Sequence, residues 1–196
     1  MKIKSLFFLI FIYLFNINNL FAMDPEVFVQ STVNRASKTL SEQLTKEKKM
    51  IELQKIAKDT VDIKGIGFYT LGSTRKSLSE EQKKQYSELF EKYFLKSFSS
   101  RLAEYTNPEI DVLGKEVLND NYTIVNSLLQ GTSSRPEIKI DWRIYTKDPN
   151  KPLIRDLIIE GLSLARTQKE EFSSVLQSND GDITQLFKTL KTFIED

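Results

Sequence analysis

The 196-residue chain contains no cysteine and no histidine. Without thiolates or imidazoles, the usual zinc sites, thiol chemistry and histidine general-base catalysis are excluded. A lipid-anchored form with an N-terminal cysteine is excluded as well. No disulfide can brace the fold, so an apolar core has to hold it together. For side-chain chemistry only carboxylates, Lys, Tyr and Ser remain, which is poor equipment for a hydrolase. Neither sign of charge is in excess, with 28 basic residues facing 27 acidic ones. That balance gives no bulk attraction to nucleic acid or to an anionic membrane.

Long apolar runs are scarce too. The run Leu6 to Leu14 follows the positive start of Lys2 and Lys4, and polar Asn16, Asn18 and Asn19 come before Leu20-Phe21-Ala22. This is the three-part form of a secretory signal peptide. It is short for a membrane span, which needs roughly 20 apolar residues. The expected division is a signal peptide over 1–22, cleaved after Ala22, and one domain over 23–196. A retained N-terminal anchor is the alternative. The mature part loses only Lys2 and Lys4, and its net charge becomes −1. An exported chain without disulfides fits a periplasm-like compartment.

Helical spacing begins at Pro25. Asp24 is placed to cap a helix over 25–40, with Pro25 at its first position. Val29, Val33, Ala36 and Leu40 recur on one side. A second helix is expected over 46–59, with Met50, Leu53, Ile56 and Ala57 inward. In VDIKGIGFYTLGS, Asp62 can cap a short helix and Gly72 can end it. The GIG unit lacks the preceding strand and the full spacing of a dinucleotide fingerprint. A long helix is expected over 79–105, opened by a capping box of Ser79 and Gln82. Tyr86, Leu89, Phe90, Tyr93, Phe94, Phe98, Leu102 and Tyr105 make one broad, aromatic face. Interiors are filled like crystals, so a row of flat rings either packs a core or walls an apolar pocket.

After Asn107-Pro108 the period changes to two. Strands are expected over 109–118, with a bulge or bend at Gly114, and over 122–130. A third shows the cleanest alternation: Ile138, Ile140, Trp142 and Ile144 against Lys139, Asp141, Arg143 and Tyr145. A fourth is expected over 153–160. Short connections imply an antiparallel meander. Helices over 165–177 and 182–193 close the chain, which makes the fold α+β with a four-stranded antiparallel sheet.

Even spacing places Asp156 and Glu160 on one face of the fourth strand with Ile154 and Ile158. Four residues of strand separate the two acids by about 13 Å, too far for a cooperating carboxylate pair. Structural pairing or an outward face is the favoured role, with a basic partner for Glu160 not identified. Ser163 has neither a histidine nor a nucleophile elbow around it, and is expected to cap the next helix. Gly161 permits close or unusual backbone geometry at the corner.

The order of these segments resembles the MlaC/toluene-tolerance family. It runs from DPEVFVQ through VD…FYTLG at 61–72 and LSEEQKKQYSELFEKYFLKSFSSRLAEY at 78–105 to RDLIIEGLSLARTQKEEFSSVL at 155–176. Leu71 and Gly72 match the family's LG. Gln82, Phe90 and Tyr105 match its long helix, and Asp156, Glu160, Gly161, Ser163, Leu164 and Phe172 match its signature turn. The chain departs at Pro152 and Lys169, where the family often has Trp and Arg, and at Ser73-Thr74-Arg75, where aromatic and basic residues are usual.

The resemblance implies a twisted sheet wrapped by helices, NTF2-like, enclosing an apolar lipid pocket. It implies a periplasmic phospholipid carrier, not an enzyme, with phospholipid as cargo and no cofactor or metal. The implied partners are an inner-membrane permease with an MCE-domain subunit and an outer-membrane lipoprotein complex, with the carrier itself a monomer. Candidate pocket residues are Phe68, Leu71, Phe90, Phe94, Phe98, Ile140 and Trp142. No basic cluster in the sequence marks a phosphate clamp, which fits a head group left largely in water. An NTF2-like small-pocket enzyme using a buried carboxylate such as Asp156, or an exported protein-interaction domain, are the alternatives.

Overall fold

The computed structural model describes residues 23–133 and 135–196. The expected signal peptide lies outside them. Asp24 accepts from the Glu26 amide at 2.8 Å and opens α1, Pro25–Ser41. Thr45 opens α2, Lys46–Thr60, and Asp62 opens α3, Ile63–Thr70, by accepting from Gly65 N at 2.9 Å. These oxygens satisfy amides that a helix leaves unpaired in its first turn. A 3₁₀ turn over Gly72–Lys76 follows, with Gly72 at φ +55°. The capping box is formed on both sides: Ser79 Oγ accepts from Gln82 N, and Gln82 Oε1 accepts from Ser79 N. It opens α4, Glu80–Leu102. The helix stops short of Tyr105, whose amide still donates to the Leu102 carbonyl at 3.0 Å.

The sheet runs in the order β1-β2-β3-β4-β5, antiparallel throughout. Its strands are Ile110–Asn119, Tyr122–Leu129, Ile138–Tyr145, Leu153–Ile159 and the two-residue Leu162–Ser163. Five strands replace the expected four. The extra one exists because Glu160 (φ +50°) and Gly161 (φ +82°) turn the chain back at once. Two successive positive φ values make the tight hairpin turn that matches strand twist. In β1 the register skips Leu113, between the pairs Val112–Ser127 and Gly114–Asn126, so the expected irregularity sits beside Gly114. Ser163 then opens α5, Leu164–Gln177, and Asp182 opens α6, Ile183–Glu195.

Cross-strand partners point to the same face of a sheet. Ile140 and Trp142 on β3 therefore share a face with Ser127 and Val125 on β2 and with Ile159 and Leu157 on β4. This face carries the core together with Val29, Val33, Phe90, Phe172 and Leu186 from the helices. The register shift at Arg155 pairs Ile154 with Ile144 but Asp156 with Arg143. Ile154 and Asp156 thus face opposite sides, which corrects the even-spacing count. Glu160 is no longer on the strand at all.

The long helix is buried on more than its aromatic face. Leu95 and Ser99 are buried as well, because α2 packs along that flank and Gln54 Nε2 donates to Ser99 Oγ at 3.1 Å. With α2, α3 and α6 all packed on α4, no single apolar stripe describes it.

Candidate functional site

The aromatic rings of α4 form a connected series. Tyr86 stacks on Phe90 with centroids 5.7 Å apart, Phe90 meets Phe94 at 6.1 Å, and Phe94 stacks on Phe98 at 5.6 Å. Their fates differ along the helix. Tyr86 and Phe90 are 0% and 1% exposed, while Phe94 and Phe98 are half-buried and pack against the edge of the core. Phe172 from α5 meets Phe90 edge-on at 6.2 Å and Tyr93 at 5.7 Å. Quadrupoles favour this edge-to-face contact. The α3 backbone closes the remaining side, for a Cβ on Gly67 would lie 2.7 Å from Phe90 Cδ1.

Of the seven candidate pocket residues, Leu71, Phe90, Ile140 and Trp142 are buried in the core. Phe68, Phe94 and Phe98 pack against it only in part. Phe68 has Lys64 and Arg75 within 6 Å of its ring centroid, at 5.9 and 5.7 Å. Trp142 donates from Nε1 to Ser127 Oγ at 2.8 Å, and Ser127 Oγ donates in turn to the Ile140 carbonyl at 3.0 Å. An indole at an apolar wall needs such a partner. Two surface depressions of about 470 Å³ each include none of the seven. One lies along α5 beside Tyr69 and Lys169, the other along α1 beside Val27 and Arg35.

The polar groups around the rings are satisfied. Tyr86 Oη and Thr70 Oγ1 lie 2.7 Å apart, fully buried, and Thr70 also donates to the Gly67 carbonyl. Burial pushes the Tyr86 phenol above its usual range. Tyr93 donates to Gln168 Oε1 at 2.7 Å, and its pKa rises through burial first and the Glu171 charge second. Both phenols stay protonated at neutral pH and serve as hydrogen-bond groups.

The signature corner is architecture. Asp156 is 4% exposed, and its two oxygens accept from Ser163 Oγ at 2.6 Å and from Ala165 N at 3.0 Å. Arg143 Nη1 stands 3.9 Å away. Ser163 Oγ in turn accepts from Arg166 N at 3.1 Å, the capping role expected of it. Asp156 and Ser163 together start α5 and so aim Phe172 at Phe90. Among the described residues no basic side chain pairs with Glu160. Its carboxylate accepts from the Lys139 amide while its own amide donates to the Lys139 carbonyl at 3.1 Å. Gly161 serves the turn dihedral rather than a close approach, since a Cβ there would meet nothing within 4 Å. Gly72 lies beside Lys169, whose ammonium sits 5.1 Å above the Tyr69 ring.

One cluster escaped sequence reasoning. Arg155 donates to Asp62 from Nε at 2.7 Å and to Tyr122 Oη at 2.8 Å, and lies 3.8 Å above the Tyr145 ring. Burial works against its charge, but the bonds to Asp62 and Tyr122 outweigh it and raise the pKa. The cluster anchors the start of α3 to the sheet. Asp62 signalled itself only as a cap.

Among the described residues no group of three or more His, Cys, Asp and Glu side chains is placed to hold a metal ion. No helix among them is long and apolar enough to cross a membrane. The model of the MlaC protein family matches residues 29–192. The fold is similar to that of a phospholipid-binding protein from Ralstonia solanacearum, solved in complex with a phospholipid. The TM-score is 0.74 at 20% identity, covering 88% of this chain and 97% of that one. A search of curated proteins finds no match.

Proposed function

This chain belongs to the MlaC family, and from that premise we propose that it is a periplasmic phospholipid carrier. It shuttles lipid between outer- and inner-membrane complexes of an ABC transport system, without covalent chemistry. The observation that carries this reading is the fold shared with a protein solved holding a phospholipid, over nearly all of both chains. Residues 23–196 are the working domain and residues 1–22 its cleavable export signal. The cargo pocket lies between sheet and helices in an NTF2-like arrangement, walled by Phe68, Leu71, Phe90, Phe94, Phe98, Ile140 and Trp142. The protein acts as a monomer. Its partners are an inner-membrane permease with an MCE-domain subunit and an outer-membrane lipoprotein complex.

Physical chemistry supports the reading. Each acyl CH₂ left in water costs about 0.8 kcal/mol, so a travelling lipid needs an apolar enclosure. Half-buried rings such as Phe94 and Phe98 are surface that a tail can cover. The buried carboxylate Asp156 is committed to Ser163 and the Ala165 amide, which leaves a small-pocket enzyme without its base.

Native mass spectrometry of protein exported to a bacterial periplasm tests the proposal. A phospholipid adduct at near-stoichiometric amount is the expected result. Apo protein alone under gentle conditions contradicts it.

A further inference from the structure

The connection between β2 and β3 holds a cation whose donors are not used up. Gly131 sits at its start, where a Cβ would lie 3.0 Å from Glu137 N and 3.2 Å from the Arg135 carbonyl oxygen. Thr132 N donates to the Arg135 carbonyl at 2.7 Å, and Arg135 N donates back to the Thr132 carbonyl at 3.3 Å. The backbone of Arg135 is therefore tied to Thr132 by two bonds. Its guanidinium lies 4.9 Å above the Tyr105 ring. Nη2 reaches only the Gln130 carbonyl, at a long 3.5 Å. Nε is buried and has no hydrogen-bond partner. Glu109 and Glu137 flank the turn, yet neither forms an ion pair with Arg135 among the described residues. Arg143 Nε is likewise buried without a partner, so the orphan alone singles out no site. What needs a reason is that the Nη end of Arg135, whose one bond to Gln130 is long, has donors to spare.

The surroundings supply one. Tyr105 follows the end of α4 that carries Phe94 and Phe98. At the same edge of the sheet Ile110 pairs with Leu129, and Leu129 with Ile138. Tyr105, Phe98, Ile110 and Ile138 are all half-buried apolar groups. A planar cation held at the rim of half-buried apolar surface matches a molecule with an anionic head and apolar tails. Guanidinium is suited to phosphate oxygens because its donors form a rigid fork.

We infer that Arg135 is the head-group residue of the carrier, donating to the phosphodiester of a bound phospholipid whose tails lie along the Phe98 side of α4. The inference rests on the carrier reading and deepens it. It refines the expectation of a head group left largely in water. Arg135 discriminates lipids that carry a phosphate from lipids that carry only the tails.

The test incubates the delipidated full domain with vesicles containing equal amounts of phosphatidylglycerol and diacylglycerol of the same chains. Bound lipid is then counted by native mass spectrometry. The wild type is expected to prefer the phospholipid about tenfold or more, the effect of one charge-assisted hydrogen bond. Arg135→Gln is expected to lose that preference while keeping tail binding, and Arg135→Lys to keep part of it. Should the Gln variant fail to fold by circular dichroism, the Lys variant and the wild-type ratio decide. An unchanged ratio in the folded variants overturns the assignment, as does a wild type without preference. Inorganic phosphate is titrated separately by calorimetry. Binding of phosphate to Arg135 without lipid discrimination also overturns it. A wild type that takes up neither lipid refutes the carrier reading itself, whereas uptake without discrimination refutes only the role of Arg135.

Discussion

The two halves of α4 share one helix and one kind of side chain, yet they are built for different ends. In the first half Tyr86 and Phe90 are sealed by α3, Phe172 and each other. In the second half Phe94, Phe98 and, past its end, Tyr105 keep part of their surface open. Ile110, Val112 and Ile138 on the sheet are open to a similar degree. A protein seeking only stability would bury these rings, because each fully buried large apolar side chain is worth about 1.5–3 kcal/mol. On the proposed function, the sealed half positions and the open half receives. Arg135 stands at the open end.

The largest blow to this contrast comes from Phe90→Ala. Removing a fully buried ring is expected to cost about 3–5 kcal/mol, read as the loss of stability in urea unfolding. A loss under about 1 kcal/mol would mean that the first half is not sealed. Next is Asp156→Ala, which strips the shared anchor of Ser163 and Ala165 N and loosens the helix carrying Phe172. A cost of about 2 kcal/mol is expected by the same measurement, and no change would show that α5 needs no such anchor. Phe94→Glu acts on the open half. Its stability cost should be smaller, about 1 kcal/mol for a half-exposed ring, while lipid retained through gel filtration falls. Retention equal to wild type would remove Phe94 from the wall.

The smallest effect concerns the far edge of the sheet. The Lys115 ammonium hydrogen-bonded to Asp24 holds that carboxyl below its ordinary 3.8. A depressed folded pKa stabilises above the unfolded value and is lost as pH falls through the folded one. Asp24→Asn keeps a capping oxygen but not the charge. It should cost about 0.5 kcal/mol at neutral pH, since the pair is surface-exposed. The gap between the two proteins should narrow as pH falls below 3.8 and close once Asp24 is protonated in the folded state too. A gap of the same size at acid pH would assign the loss to capping alone.

Local chemistry explains what was legible in the sequence. Asp24, Asp62, the Ser79–Gln82 pair and Ser163 cap as expected because a cap is decided within three residues. The clean alternation of β3 gave its face directly. The two-residue β5 carries no period, so only the turn at Glu160 and Gly161 reveals it. The slip at Arg155 broke the even count that had joined Ile154 to Asp156. Burial of Leu95 and Ser99 was hidden because three helices pack around α4 and erase a single stripe. Arg155 with Asp62, 93 positions apart, and Arg135 with Tyr105 are meetings that only the folded chain brings about.

The most direct test of the account is a crystal structure of the protein purified with its lipid. Acyl density is expected between the second half of α4 and the sheet, touching Phe94 and Phe98, with the phosphate beside Arg135. Acyl density on the outer depressions of α1 or α5, or a solid core between sheet and α4 with no lipid, would contradict it.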